Sequence, residues 1–478
     1  MKESQEGITV KKDQDFSEWY SQVIQKAELS DYSKVSGCIV FMPRAYHIWE
    51  TVQGYMNEEF KKTGVKNAYF PLLIPESLLK KESEHVKGFN PEVAWVTEAG
   101  NSKLNERLAI RPTSETVMYD HYKKWIRSWK DLPLKINQWN NVVRWEFKHP
   151  VPFLRTREFL WQEGHNAFAN QKEVEENTLL MLDIYEKILK EIYAIPILKG
   201  KKSEKEKFAG ALYTLSLETL LPNGKAIQCC TSHNLGQNFS KAFDINFLDK
   251  NEKKQYVWQN SWGFSTRTIG IMVAIHGDDK GLIIPPKLAE IQIAIIPILF
   301  DKTKEKVLKK SKELLKLLKN YRIYLDERED YSAGWKFNEY ELKGIPLRIE
   351  IGPKDIEKDQ IVLVRRDNLK KEIIKMKDLN KKVEEILDDI QNNLYHKAKE
   401  FLNKNINSVN NINEMKKTIN SNKIVKLNWC EDKICEETLK DKTDGAKCLN
   451  ISLTEKGKGK CFNCNKNATC VAFFGKSY

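Results

Sequence analysis

The chain has no long hydrophobic run. Its most apolar stretch, 291–300 (IQIAIIPILF), falls well short of the ~20 residues a membrane helix needs. The first residues, MKESQEGITVKKDQDFSEWY, carry no apolar core of the kind a secretory leader has. We therefore expect a cytoplasmic chain with no membrane partner. There is no Gly-rich phosphate loop ending in Gly-Lys-Ser/Thr and no dinucleotide fingerprint, which excludes the two commonest nucleotide cradles. If ATP binds, arginines and an aromatic shelf must hold it. No internal repeat is present, so a solenoid is excluded. Negative charge is in the minority: 66 Asp and Glu stand against 79 Lys and Arg, a formal +13. That balance favours a polyanionic partner. Cysteine is scarce until the end, and six of the nine follow Trp429. In a reducing compartment such clustering favours a metal over disulfides.

What is present is most informative over 142–168 (VVRWEFKHPVPFLRTREFLWQEGHNAF). Two apolar-framed arms joined by a polar loop with Pro150 and Pro152 read as an antiparallel hairpin. Period-two alternation puts Arg144 and Glu146 on one face, and Trp161, Glu163 and His165 on one face of the return arm. Charged side chains are rarely buried unless paired or bound to something. A solvated, salt-bridged face is the bland alternative. Phe153, Phe159 and Trp161 interleave the charges, as in a ligand floor.

Elsewhere, helices are expected over 16–26, 44–63, 113–129 and 172–193, with strands over 68–74 and 109–112. The stretch 83–105 reads as loop. Strand-like pieces follow over 209–228, and strands with a helix over 258–284. This irregular order suggests a mostly antiparallel sheet flanked by helices rather than βαβ alternation. Pro285-Pro286 marks a boundary. Beyond it, strands over 291–298, 322–326, 347–351 and 360–365 alternate with helices over 302–318, 333–343 and 379–401. That makes a compact α/β unit of ordinary domain size. An Asn/Lys-rich stretch, 403–423, leads to the cysteine-rich tail.

Four constellations carry chemistry. In Arg111-Pro112-Thr113-Ser114-Glu115-Thr116, Thr113 or Ser114 can cap a helix and Glu115 suits its positive end. Alternatively, Thr113 and Glu115 face a cavity and hold a small amine. Gln228-Cys229-Cys230-Thr231-Ser232-His233 gathers donors and acceptors, although adjacent cysteines seldom chelate one tetrahedral ion well. Ser265-Thr266-Arg267 suits a phosphate contact, because a guanidinium offers several fixed donors. The string HGDDKG after it reads as a turn when taken alone. Finally, Cys430 and Cys435 form one close pair and Cys461 and Cys464 another, as in a structural zinc site with four thiolates. Cys448 and Cys470 stand in reserve.

With these residues in view, the chain resembles a class II aminoacyl-tRNA synthetase. More closely, it resembles the prolyl-tRNA synthetases of archaeal/eukaryotic type. The strings RPTSET, RWEFKHP, FLRTREFLWQEGH, KFAG, TSHNLGQNFS, SWG with STRTIG, and HGDDKGL carry the likeness across the full length. The resemblance implies an α/β multi-domain chain: a class II core with its antiparallel sheet over 1–285, an α/β anticodon-binding domain over 286–402, and a small zinc-binding α/β domain over 403–478. The helix ending near Thr63 and the strand carrying Pro71 resemble the dimerising motif 1, which implies a homodimer. Arg144 and Glu146 match motif 2, and Arg267 the motif 3 arginine.

Residue by residue, the likeness implies that Arg144 meets both the ATP α-phosphate and the amino-acid carboxylate. Arg155 and Arg267 would hold the outer phosphates, with Phe159 and Arg267 around the adenine. Thr156 would meet the adenine edge, Gln228, Thr231 and Ser265 the remaining nucleotide, and Glu146 would assist. Mg2+ would bridge the phosphates. Thr113, Glu115 and His233 would hold L-proline in a pocket also lined by Trp161, Glu163 and His165. Glu341, Lys343, Arg348, Glu350, Lys354 and Asp355 look like the family's surface for the tRNA(Pro) anticodon, although a solvated charged face is the simpler alternative for each alone. FGKSY, residues 474–478, resembles an ending that folds back to the active site.

The chain departs from the pattern in places. Cys229 and Cys230 replace small residues, and Ser265 replaces a common Thr. The Cys461/Cys464 pair is wider than in some relatives. About 60 residues separate His165 from Gln228, too few for the editing insertion of bacterial-type enzymes. A missing methylene discriminates by only ~1–3 kcal/mol, so alanine mischarging is expected, cleared in trans if at all. Two other readings remain: a synthetase-like RNA-binding or regulatory protein without aminoacylation, which predicts eroded ATP arginines, and a different class II specificity such as threonine, which needs zinc-ligating Cys/His in the core.

Overall fold

A computed structural model describes residues 7–85, 92–146 and 149–478. Phe147 and Lys148 of the RWEFKHP string lie outside the described residues, as do the first six residues and 86–91 of the expected loop.

One eleven-stranded sheet organises both ends of the chain. Its antiparallel centre runs Leu198–Lys201, Tyr213–Leu220, Ala226–Gly236, Trp258–Ser265, Glu158–Phe168, Leu134–Val143. Lys66–Asn67 closes one edge in parallel. At the other edge Lys447–Lys456 pairs with Leu198–Lys201, so the cysteine-rich tail continues the same sheet rather than hanging from a linker. The expected hairpin forms with Leu134–Val143 against Glu158–Phe168, and Arg144 and Glu146 stand just past the first arm.

The strand faces differ because their side chains alternate. One face carries polar residues around a cavity. The other packs on the helix Gln171–Glu191 and buries Trp262 against Tyr185 and Phe60. Gly164 lies across from Trp262, and any Cβ there would run into the indole. The helix Pro43–Lys62 adds Trp49, Val52, Met56 and Phe60 to the same core. Tyr55, on the same helix, is exposed.

The second unit has a mixed five-stranded sheet: Ile323–Leu325, Ile293–Pro297, Leu347–Ile351, Gln360–Arg365, Lys371–Lys375. Its all-apolar core gathers Ile295, Leu347, Ile349, Leu363 and Ile390. HGDDKG joins the two units: Asp278 receives both guanidinium nitrogens of Arg366, at 2.8 and 2.5 Å.

Several local expectations are corrected. The stretch 68–74 is not one strand. Lys66–Asn67 and Leu73–Pro75 belong to different sheets, and Pro71, which lacks an N–H, sits between them. The stretch 83–105 holds strand Trp95–Ala99 and the start of Ser102–Ile110, after helix Glu76–His85. Strands with charged, exposed residues have no apolar alternation to betray them. The helix expected over 113–129 is Glu115–Trp125. The stretch 403–423 contains Ile406–Ser408 and helix Ile412–Asn420, whose Met415 and Ile419 are buried.

Candidate active site

Three rungs of the central sheet build the cavity floor. His233 pairs with Thr214 and Ser261, and Ser261 with His165. Two residues along, Thr231 pairs with Gly263 and Gly263 with Glu163. Two further, Ser265 pairs with Trp161. The spacing of two keeps all of them on one face, and Gly263 leaves the middle of the floor without a side chain. Thr113 and Glu115 enter from the start of helix Glu115–Trp125, and Arg144, Phe159, Gln228 and Arg267 complete a cavity of about 290 Å³.

Glu163 is nearly inaccessible and saturated. It accepts from Ser114 N at 3.0 Å and Ser114 Oγ at 2.5 Å, from Asn140 Nδ2 at 2.7 Å and from Gln138 Nε2 at 3.2 Å. The cap expected of Thr113 or Ser114 is therefore not made. Ser114 stands at the cap position, but its hydroxyl goes to Glu163, and the Thr113 hydroxyl goes to Glu115. Burial pushes the Glu163 carboxyl up, but hydrogen bonding and the charge of His165, with the Ser114 and Asn140 donors, hold it well below the usual range. Burial pushes His165 down, and Glu115 and Glu163 more than reverse that. Glu115, Glu163 and His165 bring their ligating atoms within 4.8 Å of one another. With both Glu163 oxygens engaged, this group suits a small ammonium better than a metal.

His233 behaves in the opposite way. Its Nδ1 lies 2.9 Å from Thr214 Oγ1 and its Nε2 2.9 Å from Thr231 Oγ1, with the Phe208 ring 4.8 Å away. Burial first, then the charges of His165 and Arg144, lower it to about 3. It is a neutral imidazole at any working pH.

The cations come next. Arg144 donates Nε to Pro112 O at 3.0 Å and lies 5.4 and 5.2 Å from the Phe159 and Trp161 rings. Arg267 donates Nε to Leu154 O at 3.0 Å and Nη1 to Gln228 O at 3.3 Å, and Ser265 Oγ accepts from its N–H at 3.3 Å. Neither guanidinium forms an ion pair with a carboxylate among the described residues. Burial and the neighbouring Arg144 and Arg155 lower Arg267. Two guanidiniums held by backbone carbonyls, with the charge of Arg155 felt nearby, are arranged for a polyanion. Arg155, Thr156 and Glu146 stay on the same loop but do not line the cavity: Arg155 and Glu146 are exposed and Thr156 is buried.

The tail holds a separate cluster. The sulfurs of Cys430, Cys435, Cys461 and Cys464 lie within 4.8 Å of one another, with Cys430 and Cys464 3.6 Å apart. A tetrahedral ion with ~2.3 Å bonds to sulfur needs sulfurs about 3.8 Å apart, so the four fit zinc. Cys448 and Cys470 are outside the group.

Comparison with known proteins agrees with this layout. Residues 95–276 match the tRNA synthetase class II core domain (G, H, P, S and T), residues 292–386 the anticodon binding domain, and residues 412–478 the prolyl-tRNA synthetase C-terminal domain. A proline–tRNA ligase of Natranaerobius thermophilus is 50% identical over 97% of both chains. Proline–tRNA ligase 2 of Bacillus cereus is 49% identical over the whole of both. A putative proline–tRNA ligase of Saccharomyces cerevisiae is 46% identical over 99% of this chain and 73% of its own. The chain is a prolyl-tRNA synthetase by family. Class II synthetases use ATP and Mg2+, and the two guanidiniums of this synthetase fold face the cavity where such a substrate would lie.

In the anticodon-binding domain four of the expected residues, Glu341, Lys343, Arg348 and Glu350, are ion-paired. Arg348 reaches Glu341 at 3.1 Å and Glu350 at 2.9 Å and stacks on Phe337. Lys343 pairs with Glu339 at 2.9 Å and with Glu28 at 3.1 Å. Asp355 accepts from Gly352 N at 2.9 Å, capping the short helix Pro353–Glu357, and Lys354 is exposed.

Sequence reasoning passed over Glu206, Phe208, Thr214 and Ser261, all on the cavity wall. The KFAG string contained Phe208, but nothing in its spacing places it over His233. Ser261 Oγ and Trp161 Nε1 are buried without a hydrogen-bond partner, which points to a ligand there. The terminal Tyr478 donates its N–H to Ala226 O at 2.9 Å, and its phenol feels Arg155 and Arg267. Cys229 and Cys230 are buried thiols pushed up by desolvation, and they form no metal group with His233.

Proposed function

We infer that this prolyl-tRNA synthetase activates L-proline with ATP to prolyl-adenylate and transfers the prolyl group to the 3′ end of tRNA(Pro). The carrying observation is that Arg144 and Arg267, without carboxylate partners among the described residues, share one cavity with Thr113, Glu115 and His233. The secondary ammonium of proline meets Glu115, and the neutral His233 and Trp161 close the ring side. The proline carboxylate oxygen attacks the α-phosphorus in line. The phosphorus–oxygen bond to pyrophosphate breaks, and the two electrons leave with pyrophosphate. Arg144 spans the carboxylate and α-phosphate, where charge builds. Arg267 and Arg155 take the outer phosphates, and Phe159 with Arg267 sandwiches adenine. Thr156 reads its edge, and Gln228, Thr231, Ser265 and Glu146 orient the nucleotide. Bound Mg2+ offsets phosphate charge. A terminal ribose hydroxyl of the tRNA then attacks the prolyl carbonyl carbon and AMP leaves. Positioning and electrostatics carry the catalysis. Proline-dependent ATP–pyrophosphate exchange tests this, and no exchange with any amino acid overturns it.

Zinc belongs with Cys430, Cys435, Cys461 and Cys464, and its content should fall in Cys435→Ser. Domain boundaries lie at 285/286 and 402/403, and Glu341, Lys343, Arg348, Glu350, Lys354 and Asp355 face the anticodon. Exposed Tyr46 and Tyr55 on the helix Pro43–Lys62, with exposed Tyr69 and Leu73 in the segment that follows it, support a homodimer face there. No helix of the described residues is long and apolar enough to cross a membrane. We place the enzyme in the cytoplasm.

A further inference from the structure

The segment between Leu198–Lys201 and Tyr213–Leu220 forms one wall of the amino-acid end of the cavity, through Glu206 and Phe208. Phe208 leans on His233 at 4.8 Å, and its N–H donates to Thr214 Oγ1 at 3.0 Å. The wall begins in a turn set by Ser203. The Ser203 carbonyl accepts from Lys207 N at 2.9 Å, and its hydroxyl oxygen accepts from Glu206 N at 3.3 Å. That hydroxyl needs an acceptor for its own proton, and finds one outside the catalytic core. Ser203 Oγ donates to Glu436 Oε1 at 2.9 Å, with both residues buried.

Glu436 lies in the helix Lys433–Lys442 of the C-terminal domain, directly after Cys435 of the four-cysteine group. Further contacts run the same way. Lys205 pairs with Glu437, and Lys447 approaches Glu206 at 3.7 Å. Lys202 donates to Leu449 O at 2.9 Å and to Glu218 at 2.6 Å. The wall is thus fastened to the C-terminal domain on its outer side. On its inner side the Phe208 ring packs against His233 and Phe239, and its N–H bonds to Thr214.

We propose that Glu436 is a positioning residue for the proline end of the cavity: by orienting the Ser203 hydroxyl it sets the 203–208 wall, and the adjacent four-cysteine site fixes Glu436 in turn. This rests on the reading of the cavity as a proline site. It makes the cysteine cluster a support for substrate binding as well as for its own domain. Zinc, where it binds, clamps the first turn of the helix that carries Glu436.

The full-length enzyme provides the test, as Ser203→Ala, Glu436→Ala and Glu436→Gln, whose side-chain carbonyl can still accept from Ser203. Three quantities are measured: KM for proline and for ATP in the exchange reaction, zinc per chain, and the rate of tryptic cleavage after Lys205 and Lys207. Loss of this buried hydrogen bond should raise the proline KM roughly tenfold in both alanine variants, with the ATP KM within about twofold. Zinc per chain stays at the wild-type value, cleavage quickens, and Glu436→Gln restores most of both. Stripping zinc from the wild type with a chelator quickens the same two cleavages. The proposal is overturned if the proline KM is unmoved in both alanine variants, if proline and ATP KM rise together with loss of zinc, or if cleavage after Lys205 and Lys207 does not change. Failure of the functional reading looks different. The wild type itself then lacks proline-dependent exchange, and the cleavage rates of the variants alone decide whether the tether holds the wall.

Discussion

Two regions of this molecule are built from the same residue types and treat them in opposite ways. In the anticodon-binding domain, Glu341, Arg348 and Glu350 form a closed ionic group, with Lys371 3.3 Å from Glu350 and Lys280 2.7 Å from Glu341. In the catalytic cavity, Glu163 is saturated, but the guanidiniums of Arg144 and Arg267 donate to backbone carbonyls and have no carboxylate partner among the described residues. A matched group keeps its geometry without a ligand's charge to balance it. An unmatched one holds its charge at a cost, which a bound anion relieves. Burial alone does not separate the two regions; charge balance does.

The contrast is most sharply broken at Arg144. Arg144→Ala should lower proline-dependent exchange by about two to three orders of magnitude, the usual loss when one donor to developing charge is removed, with little change in Tm. A large drop in Tm instead would mean that Arg144 is structural, like Arg348. The converse substitution, Arg348→Ala, leaves two carboxylates without their central cation. It should cost about 3 kcal/mol in chemical denaturation while leaving the tRNA-independent exchange rate within twofold or so. Equal loss of both would erase the distinction.

Between these lies Glu115→Gln. Removing the carboxylate charge should raise the proline KM by roughly tenfold or more and leave the ATP KM nearly unchanged, read in the same exchange assay. A parallel rise in both constants would move Glu115 out of the amino-acid end.

The smallest effect is a pH dependence. His276, bonded to Tyr193 O at 2.9 Å, is lowered to about 4 by burial from an ordinary 6.5. It is neutral when folded, while the unfolded chain takes up a proton below about 6.5. Its contribution is therefore intact above pH 6.5 and is lost as pH falls towards 4. Tm should fall over that window, and His276→Asn should flatten the fall by up to one proton. An unchanged slope would mean that other groups set the acid limit.

Much of the site was legible in sequence. The hairpin and the alternation of Trp161, Glu163 and His165 follow from period two, and the four cysteines from their spacing. Phe208, Ser261 and Gly263 were not legible as site residues. Their roles depend on which strands neighbour one another, and Trp258–Ser265 arrives between Glu158–Phe168 and Ala226–Gly236 only through long-range pairing. The strand Ser102–Ile110 was hidden for a different reason. Its exposed, charged side chains give no apolar rhythm, and what holds it is pairing with two neighbouring strands and the Arg107–Glu76 ion pair.

The sequence by itself determined the chemistry: which arginines, carboxylates, imidazoles and thiols exist, and which of them local periodicity keeps on one face. Only the tertiary structure decided which of those groups are spent. Glu163 and Arg348 are consumed by partners within the protein, while Arg144 and Arg267 have none of opposite charge among the described residues. The reason is geometric. Hydrogen bonds and ion pairs act over a few ångströms, and residues that distance apart here, Ser203 and Glu436 among them, lie hundreds of positions apart along the chain.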